Sequence, residues 1–248
     1  MMKAQEKVAV VAHRGGSLLA PENTLAAVKN AIKTGVERIE MDVRQTKDNV
    51  TVVIHDRKIN RTTNGKGNVE NFLFSELVSY DAGKKFSKEC TGEKIPSLEE
   101  VLTLIHGKCV LLIEIKNENN NYPGIEKDVV RLIKKYKAEK YCVVQSFSYN
   151  SLLKVYKACP TIKTGMLYVK LPLKEIIKGE VQLDFISEIN INYSYAGKKT
   201  VDFIHGLNKK VFVWTVNKPE HMKKVIKNGV DGIITDDPAT LKKIINQL

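Results

Sequence analysis

The chain is poor in the features that mark disulfide-stabilised, zinc-binding and membrane-spanning proteins. Its four cysteines, Cys90, Cys109, Cys142 and Cys159, lie far apart without paired spacing, so we expect neither a zinc site nor a disulfide framework. No segment approaches the roughly 18 consecutive apolar residues of a membrane span. We expect no signal peptide, because only a short stretch precedes the first apolar run. We therefore expect a cytoplasmic protein without stable membrane association.

Arginine is scarce as well, because lysine supplies 34 of the 40 basic residues and arginine only six. Proteins that read nucleic-acid sequence depend on arginine for bidentate base contacts, so we expect no nucleic-acid partner despite the net charge of +12. Dispersed lysines are typical of a solvated surface, and a positive field also attracts anionic small molecules. The charge is therefore compatible with a small anionic substrate.

Short apolar runs alternate with helical patterns along nearly the whole chain, and this alternation predicts a parallel sheet. Eight strand–helix units in 248 residues favour a (β/α)8 TIM barrel over an open doubly wound sheet. We expect a single domain over residues 1–248, with a small insertion at 57–96 after the second βα unit and its return strand at 50–55. The barrel strands are predicted at 8–13, 38–44, 109–115, 141–146, 161–167, 185–189, 210–216 and 231–235.

Polar side chains interrupt these strands near their carboxyl ends, where barrel enzymes carry their active sites. Glu40 and Asp42 are two residues apart on one strand, so they point to the same face. The same spacing relates Glu114 to Lys116. The other polar or aromatic residues at these ends are His13, Arg14, His55 and Trp214.

These residue types suit metal-assisted cleavage of a phosphate ester. Three carboxylates without a nearby thiol favour a hard cation such as Mg²⁺ or Ca²⁺, which would neutralise a phosphodiester. Arg14 offers the planar fork that binds phosphate. His13 and His55 can divide the roles of general acid and general base near neutral pH.

Structural interpretations of the same residues remain open at this point. The histidine after the first strand could simply hydrogen-bond a loop, and the acidic pair on the second strand could form ion pairs with Arg38 or Arg44. Glu114 could pair with Lys116, because an uncompensated buried charge is costly. The remaining histidines, at 106, 205 and 221, fall in helical patterns and are expected at the surface or in packing.

The order of short motifs resembles the glycerophosphodiester phosphodiesterase family of the cytoplasmic, bacterial type. Any one tripeptide is weak, but the ordered set spans nearly the whole chain and is highly specific. The motifs are HRG at 13–15, PENT at 21–24, EMDV at 40–43, HD at 55–56, RTTNG at 61–65, PSLEE at 96–100, EIK at 114–116, QSF at 145–147, VWTVN at 213–217 and DGIITD at 231–236.

The resemblance implies a barrel with a small insertion and hydrolysis of glycerophosphodiesters, such as glycerophosphocholine or glycerophosphoethanolamine, to sn-glycerol 3-phosphate and an alcohol. A lysophospholipase D or a phospholipase C-like phosphodiesterase on the same barrel is the alternative. The insertion is expected to influence substrate choice, and a homodimer is left open. The implied site consists of His13 and His55 as the acid–base pair, Glu40, Asp42 and Glu114 as ligands of one divalent cation, and Arg14, Lys116 and Trp214 as substrate-binding residues.

Overall fold

Eight parallel strands close into a barrel in the computed structural model of the protein, which describes residues 8–247. The first strand closes the ring by pairing with both the second and the last, so the predicted (β/α)8 architecture is confirmed. The strands in chain order are β1 (Ala9–Ala12), β2 (Arg38–Gln45), β3 (Thr51–Val53), β4 (Val110–Ile115), β5 (Cys142–Ser146), β6 (Lys163–Tyr168), β7 (Glu188–Asn192), β8 (Lys210–Trp214) and β9 (Gly232–Thr235). The extra strand, β3, runs antiparallel to the end of β2.

Helices cover the outside of the barrel, and their starts follow capping rules. The Ser97 side chain accepts a hydrogen bond from the Glu100 backbone N–H, and the Glu100 side chain accepts one from the Ser97 backbone N–H, which is a capping box. The side chains of Thr24 and Asp237 each accept a backbone N–H bond at the start of another helix. The helices are α1 (Leu25–Thr34), α2 (Phe74–Leu77), α3 (Leu98–Ile105), α4 (Ile125–Lys135), α5 (Tyr149–Ala158), α6 (Leu173–Ile177), α7 (Lys198–Gly206), α8 (Pro219–Lys227) and α9 (Pro238–Ile245). Within residues 8–247, none of them combines the length and apolar character needed to cross a bilayer.

The apolar core has two concentric parts. The larger part fills the space between strands and helices, where the outward-facing residues of β4 and β5, among others, are fully buried. A smaller apolar layer lies inside the barrel and seals its middle. It consists of Val11, Leu112, Val143, Phe212 and Ile234.

Residues 57–96 form a lobe whose apolar residues pack, together with Val52 and Ile54, in a cluster separate from the barrel core. Ile59, Val69 and Leu77 are buried there, and Phe72 packs edge-on against Tyr80. The turn in this lobe needs a glycine, because a Cβ at position 65 would lie 2.5 Å from Ile59 Cδ1. The lobe is therefore a packed unit attached to the end of β3.

The structure corrects several predicted boundaries. The strand expected at 185–189 is instead β7, Glu188–Asn192. The sequence pattern misplaced it because an inward-facing acid and two inward-facing asparagines interrupt its apolar residues. The strand expected to end at residue 216 ends at Trp214. Residue 248 and the start of the chain, residues 1–7, lie outside the described residues.

Candidate active site

The loop after β1 carries the first two candidate residues on a strained turn. Arg14 has φ 52° and ψ 30°, a left-handed conformation that is uncommon for residues other than glycine. This conformation directs the Arg14 backbone N–H to Glu40 Oε2 at 3.0 Å. Gly15 follows, where a Cβ would lie 2.6 Å from Ala27 Cβ. The turn therefore fixes both His13 and Arg14 against the end of β2.

Three buried carboxylates lie together at the carboxyl ends of β2 and β4. One oxygen each from Glu40, Asp42 and Glu114 lies within 4.8 Å of the others. Lys116 Nζ is 3.2 Å from Asp42 Oδ1 and contacts Glu114 Oε1. Both of these buried oxygens nevertheless lack a hydrogen bond of good geometry. Lys116 alone thus does not complete the hydrogen bonding of these oxygens, and buried polar atoms in proteins are normally satisfied, so the all-oxygen donor set fits a bound hard cation.

The environment of these acids makes them titrate very differently. Burial, with repulsion from neighbouring carboxylates, raises the pKa of Glu40 well above its usual range. Burial likewise raises the pKa of Glu114 to about 7, although Lys116 opposes the shift. For Asp42 burial is outweighed by Lys116 and other cations, which hold its pKa well below the usual range. The cluster therefore lacks the positive charge needed to ionise all three acids.

His13 forms a dyad with Asp236, which follows β9. Its Nδ1 lies 2.6 Å from Asp236 Oδ1, and a carboxylate can only accept, so the ring donates at Nδ1. Ser17 and Asn217 also donate to Asp236. Burial opposes ionisation of Asp236, but these hydrogen bonds lower its pKa to about 2. Nε2 of His13 lies 4.0 Å from Glu40 Oε2, toward the carboxylate cluster.

His55 forms a second dyad, with Asp56. Its Nδ1 lies 2.7 Å from Asp56 Oδ1, and the Arg44 side chain donates to the His55 carbonyl at 2.8 Å. The sequence placed His55 at the last residue of the return strand, but β3 ends at Val53, so His55 lies two positions beyond it. Burial lowers the pKa of His55, with help from Lys116 and against the attraction of Asp42.

The Arg14 guanidinium lies between two acids that do not accept hydrogen bonds from all of its nitrogens. Its Nη1 donates to Glu22 Oε1 at 2.9 Å, and its Nε lies 3.4 Å from Asp42 Oδ2 without forming a hydrogen bond. Asn23, which is also left-handed with φ 59°, exchanges two hydrogen bonds with Asp42. Part of the guanidinium therefore remains available to an anion.

One cavity of about 150 Å³ brings most of the predicted residues together. On one side its wall is aromatic, because Trp214 packs edge-on against Phe147 with ring centroids 5.6 Å apart. On the other, Gln145 lies 3.5 Å from Glu40 Oε1. The predicted residues that line it are His13, Arg14, Glu40, His55, Glu114, Lys116 and Trp214. Asp42 lies beneath them, in contact with Arg14 and Lys116.

The structural alternatives are partly realised. Glu114 does pair with Lys116, whereas Arg38 pairs with Glu188 and Arg44 with the His55 carbonyl. Sequence reasoning gave no role to the carboxylates that support the site. Their signal was present, since Asp236 follows a strand directly, Asp56 follows a predicted site histidine and Glu22 stands in a quoted motif. These supporting carboxylates are Glu22, Asp56 and Asp236.

The comparisons with known proteins agree with one another. The model of the glycerophosphoryl diester phosphodiesterase family matches residues 13–240. The chain is 42% identical over 245 residues to the glycerophosphodiester phosphodiesterase of Caldanaerobacter subterraneus subsp. tengcongensis, covering 97% of this chain and 99% of that protein. It is 36% identical to the glycerophosphodiester phosphodiesterase of Bacillus altitudinis, with coverage of 96% and 98%.

A solved structure shares the fold at similar coverage. The phosphodiesterase of Oleispira antarctica, in complex with the product sn-glycerol-3-phosphate, superposes with a TM-score of 0.87 at 28% identity and covers 96% of each chain. With a family match over most of the chain and relatives of nearly equal length, the protein belongs to the glycerophosphoryl diester phosphodiesterase family.

Proposed function

We propose that the protein hydrolyses glycerophosphodiesters, such as glycerophosphocholine and glycerophosphoethanolamine, to sn-glycerol 3-phosphate and an alcohol. The observation that carries this proposal is a single cavity lined by the carboxylates Glu40 and Glu114, the histidines of two histidine–aspartate dyads, an arginine and a lysine, with Asp42 in contact with the last two. Such a site can bind a phosphodiester and transfer protons on both sides of it.

Glu40, Asp42 and Glu114 would hold one divalent cation, Mg²⁺ or Ca²⁺. The all-oxygen donor set suits either ion. When bound, the cation supplies positive charge that stabilises the phosphate oxygens as negative charge develops on them. It also compensates three carboxylates that the protein's own cations leave incompletely neutralised.

Arg14, Lys116 and Trp214 would bind the substrate. The Arg14 side chain lines the cavity, and Lys116 adds a compact positive charge beside Asp42 and Glu114. Both groups suit the non-bridging phosphate oxygens. Trp214 and Phe147 supply an aromatic wall, which can pack against glycerol carbons or attract a cationic headgroup.

The two dyads suggest a division of labour between the histidines. In both, an aspartate fixes Nδ1 as a donor and leaves Nε2 for proton transfer. Because the pKa of His55 is lowered, His55 is neutral at neutral pH and would accept a proton from the attacking water. His13 would take the complementary role and protonate the leaving alkoxide, with Asp236 orienting its ring through Nδ1.

We further propose a single domain with residues 57–96 as an insertion, because the lobe hangs from the end of β3 and its cluster shares Val52 and Ile54 with the chain leading to it. The substrate class is a small molecule. A cytoplasmic location, a homodimer and the lack of a nucleic-acid partner or stable membrane association stay predictions.

A panel of glycerophosphodiesters tests the proposal directly. Release of sn-glycerol 3-phosphate should require a divalent cation, stop on addition of chelator and return with Mg²⁺ or Ca²⁺. Release that continues unchanged in chelator would contradict the metal assignment. No release from any member of the panel, with metal present, would contradict the proposed reaction.

A lysophospholipase D or phospholipase C-like activity is the second candidate. Phe72 packs in the insertion cluster, but Leu73 and Phe86 of the same lobe are exposed and could contact an acyl chain. Comparing kcat/KM for glycerophosphocholine and lysophosphatidylcholine separates the candidates. A preference for lysophosphatidylcholine that disappears in Phe86→Ser would favour this reading over the first.

A further inference from the structure

One arginine of the insertion, Arg61, contacts the carboxylates that support two different residues of the site. Arg61 Nε donates to Asp56 Oδ2 at 2.7 Å, while its Nη1 and Nη2 donate to the two oxygens of Glu22 at 2.6 and 2.8 Å. Asp56 holds His55, and Glu22 holds Arg14. One guanidinium therefore joins the carboxylates that orient a histidine and an arginine of the cavity.

The backbone that carries Arg61 is rigid. Two positions earlier, Ile59 is fully buried in the insertion cluster. Two positions later, buried Thr63 donates to the Ile59 carbonyl at 2.8 Å and accepts from Gly65 N at 3.0 Å. A guanidinium mounted on such a turn loses little entropy when its planar fork meets two carboxylates. The insertion thus supplies a guanidinium whose backbone is fixed beside the site.

The exposure of Arg61 argues against a role in stability. Its side chain is 48% exposed, and ion pairs at such positions usually contribute little to folding, so the melting temperature of an Arg61 variant tests a structural role directly. A geometric role is different, because a misplacement of about 1 Å in a site can cost roughly 100-fold in rate. The three hydrogen bonds of Arg61 are therefore better explained by orientation than by folding energy.

We propose that Arg61 is a positioning residue that sets Asp56 and Glu22, and through them His55 and Arg14, for the reaction. This inference rests on the proposed function, because it uses the roles proposed there for His55 and Arg14. It predicts two separable effects. Loss of the Asp56 branch disturbs proton transfer and lowers kcat, whereas loss of the Glu22 branch disturbs phosphate binding and raises KM.

The test compares Arg61→Ala with Arg131→Ala in the metal-loaded enzyme. Arg131 is a matched control, because it is exposed and donates to Asp128 through two nitrogens on α4. We expect Arg61→Ala to lower kcat/KM roughly 10- to 100-fold, through both kcat and KM, with a melting temperature within about 4 °C of wild type. Arg131→Ala should keep wild-type kinetics.

Single-branch variants and rescue separate positioning from a structural role. Asp56→Ala should act mainly on kcat and Glu22→Ala mainly on KM, and each combined with Arg61→Ala should lose less than the product of the single losses. Arg61→Lys should recover only part of the activity, because an ammonium lacks the fork. Guanidinium at sub-denaturing concentration should reactivate Arg61→Ala through the open cavity beside Glu22 and Phe86, but not Arg131→Ala.

The outcomes distinguish this inference from the proposed function. Wild-type kinetics in Arg61→Ala, with His55→Ala and Arg14→Met inactive, would overturn the inference alone. An active His55→Ala or Arg14→Met would instead remove the proposed role of that residue. Loss of activity in Arg61→Ala that follows loss of folded protein, without recovery by guanidinium or Arg61→Lys, would also overturn positioning. Kinetic losses along both branches, with guanidinium rescue, would support it.

Discussion

The two ends of the barrel interior both contain charged side chains, but they use them differently. At the amino-terminal end, Arg38 Nη1 donates to both oxygens of Glu188 at 2.8 and 2.9 Å, and its guanidinium lies 4.1 Å from the Phe212 ring centroid. One acid meets one base there. At the carboxyl-terminal end, Glu40 and Asp42 belong to the same strand as Arg38 but crowd against a third acid.

The apolar layer of five residues separates the two ends. Below it the charges are matched, and above it carboxylate oxygens remain without a good hydrogen bond. An inward-facing charge is therefore not in itself a sign of function. An inward-facing charge whose partners do not complete its hydrogen bonds is the better indicator, because the protein keeps a cost that only a ligand can offset.

The largest effect is expected at the carboxyl-terminal end, from Asp42→Asn. The variant removes the acid that contacts Arg14, Asn23 and Lys116, and with it one proposed metal ligand. A bound metal contributes several kcal/mol to transition-state stabilisation, so turnover should fall at least about 1,000-fold. Calorimetry should show lost metal affinity while circular dichroism shows a folded protein.

Asp202→Asn is the matched control for that variant, because Asp202 is an exposed acid on α7 that pairs with Lys198. It should leave both turnover and metal affinity unchanged. Metal affinity at the wild-type level in Asp42→Asn would contradict the assignment of the ligands.

The next effect concerns the two histidine dyads. His13→Ala and His55→Ala should each lower kcat by roughly 100- to 10,000-fold, the usual contribution of a general acid or base. Since the pKa of His55 is lowered, the acidic limb of the pH–rate profile should fall below the ordinary value of about 6.5. Activity should decline as pH drops through this limb, because protonated His55 cannot accept a proton.

His221→Ala offers a control for the histidine variants, since this ring packs against Tyr193 rather than lining the cavity. Its turnover should match wild type. Near-normal turnover in either dyad variant would remove that histidine from the mechanism, whatever its place in the cavity.

A smaller effect, on stability instead of chemistry, is expected at the amino-terminal end. Glu188→Gln leaves the buried Arg38 guanidinium without a charged partner, which should cost about 3 kcal/mol of unfolding free energy. The turnover of folded enzyme should not change, because the apolar layer isolates this pair from the site. Chemical denaturation and active-site titration measure the two quantities. A loss of kcat without a loss of stability would invert the comparison.

The sequence was sufficient for the barrel and for the residues that line its mouth. Alternation of strands and helices predicts the fold, and the spacing of Glu40 and Asp42 predicts a common face, because both follow from local geometry. The error in the predicted strand positions also has a local cause. The start of β7 was misplaced, since Glu188, Asn190 and Asn192 face the barrel interior and hide its apolar side.

The supporting contacts of the site could not be predicted, because they join distant parts of the chain. Asp236 meets His13 across 223 residues, and Arg61 meets Glu22 across 39. No period or spacing encodes such a pairing before the barrel closes. The choice between a structural and a functional role for Glu114 also depended on three dimensions, because its carboxylate pairs with Lys116 and also lies within 4.8 Å of those of Glu40 and Asp42.

The smallest expected effect is a pH dependence that distinguishes the two ends without any substitution. Burial raises the pKa of Glu40 and brings that of Glu114 to about 7, above the ordinary value of about 4.3 in the unfolded chain. Between these values the folded protein binds more protons than the unfolded one, so the stability of the metal-free protein should fall as pH rises from about 4.5 to 7.

A cation needs the ionised acids, so its affinity should rise over the same range, with release of protons. Melting curves with chelator and with Mg²⁺ or Ca²⁺ should therefore diverge as pH increases. In Asp42→Asn the added metal should no longer restore stability at the upper end of this range, whereas in Glu188→Gln the divergence should persist on a lower baseline. Parallel curves at all pH values in the wild-type protein would contradict the view that the carboxylate cluster is completed by a cation.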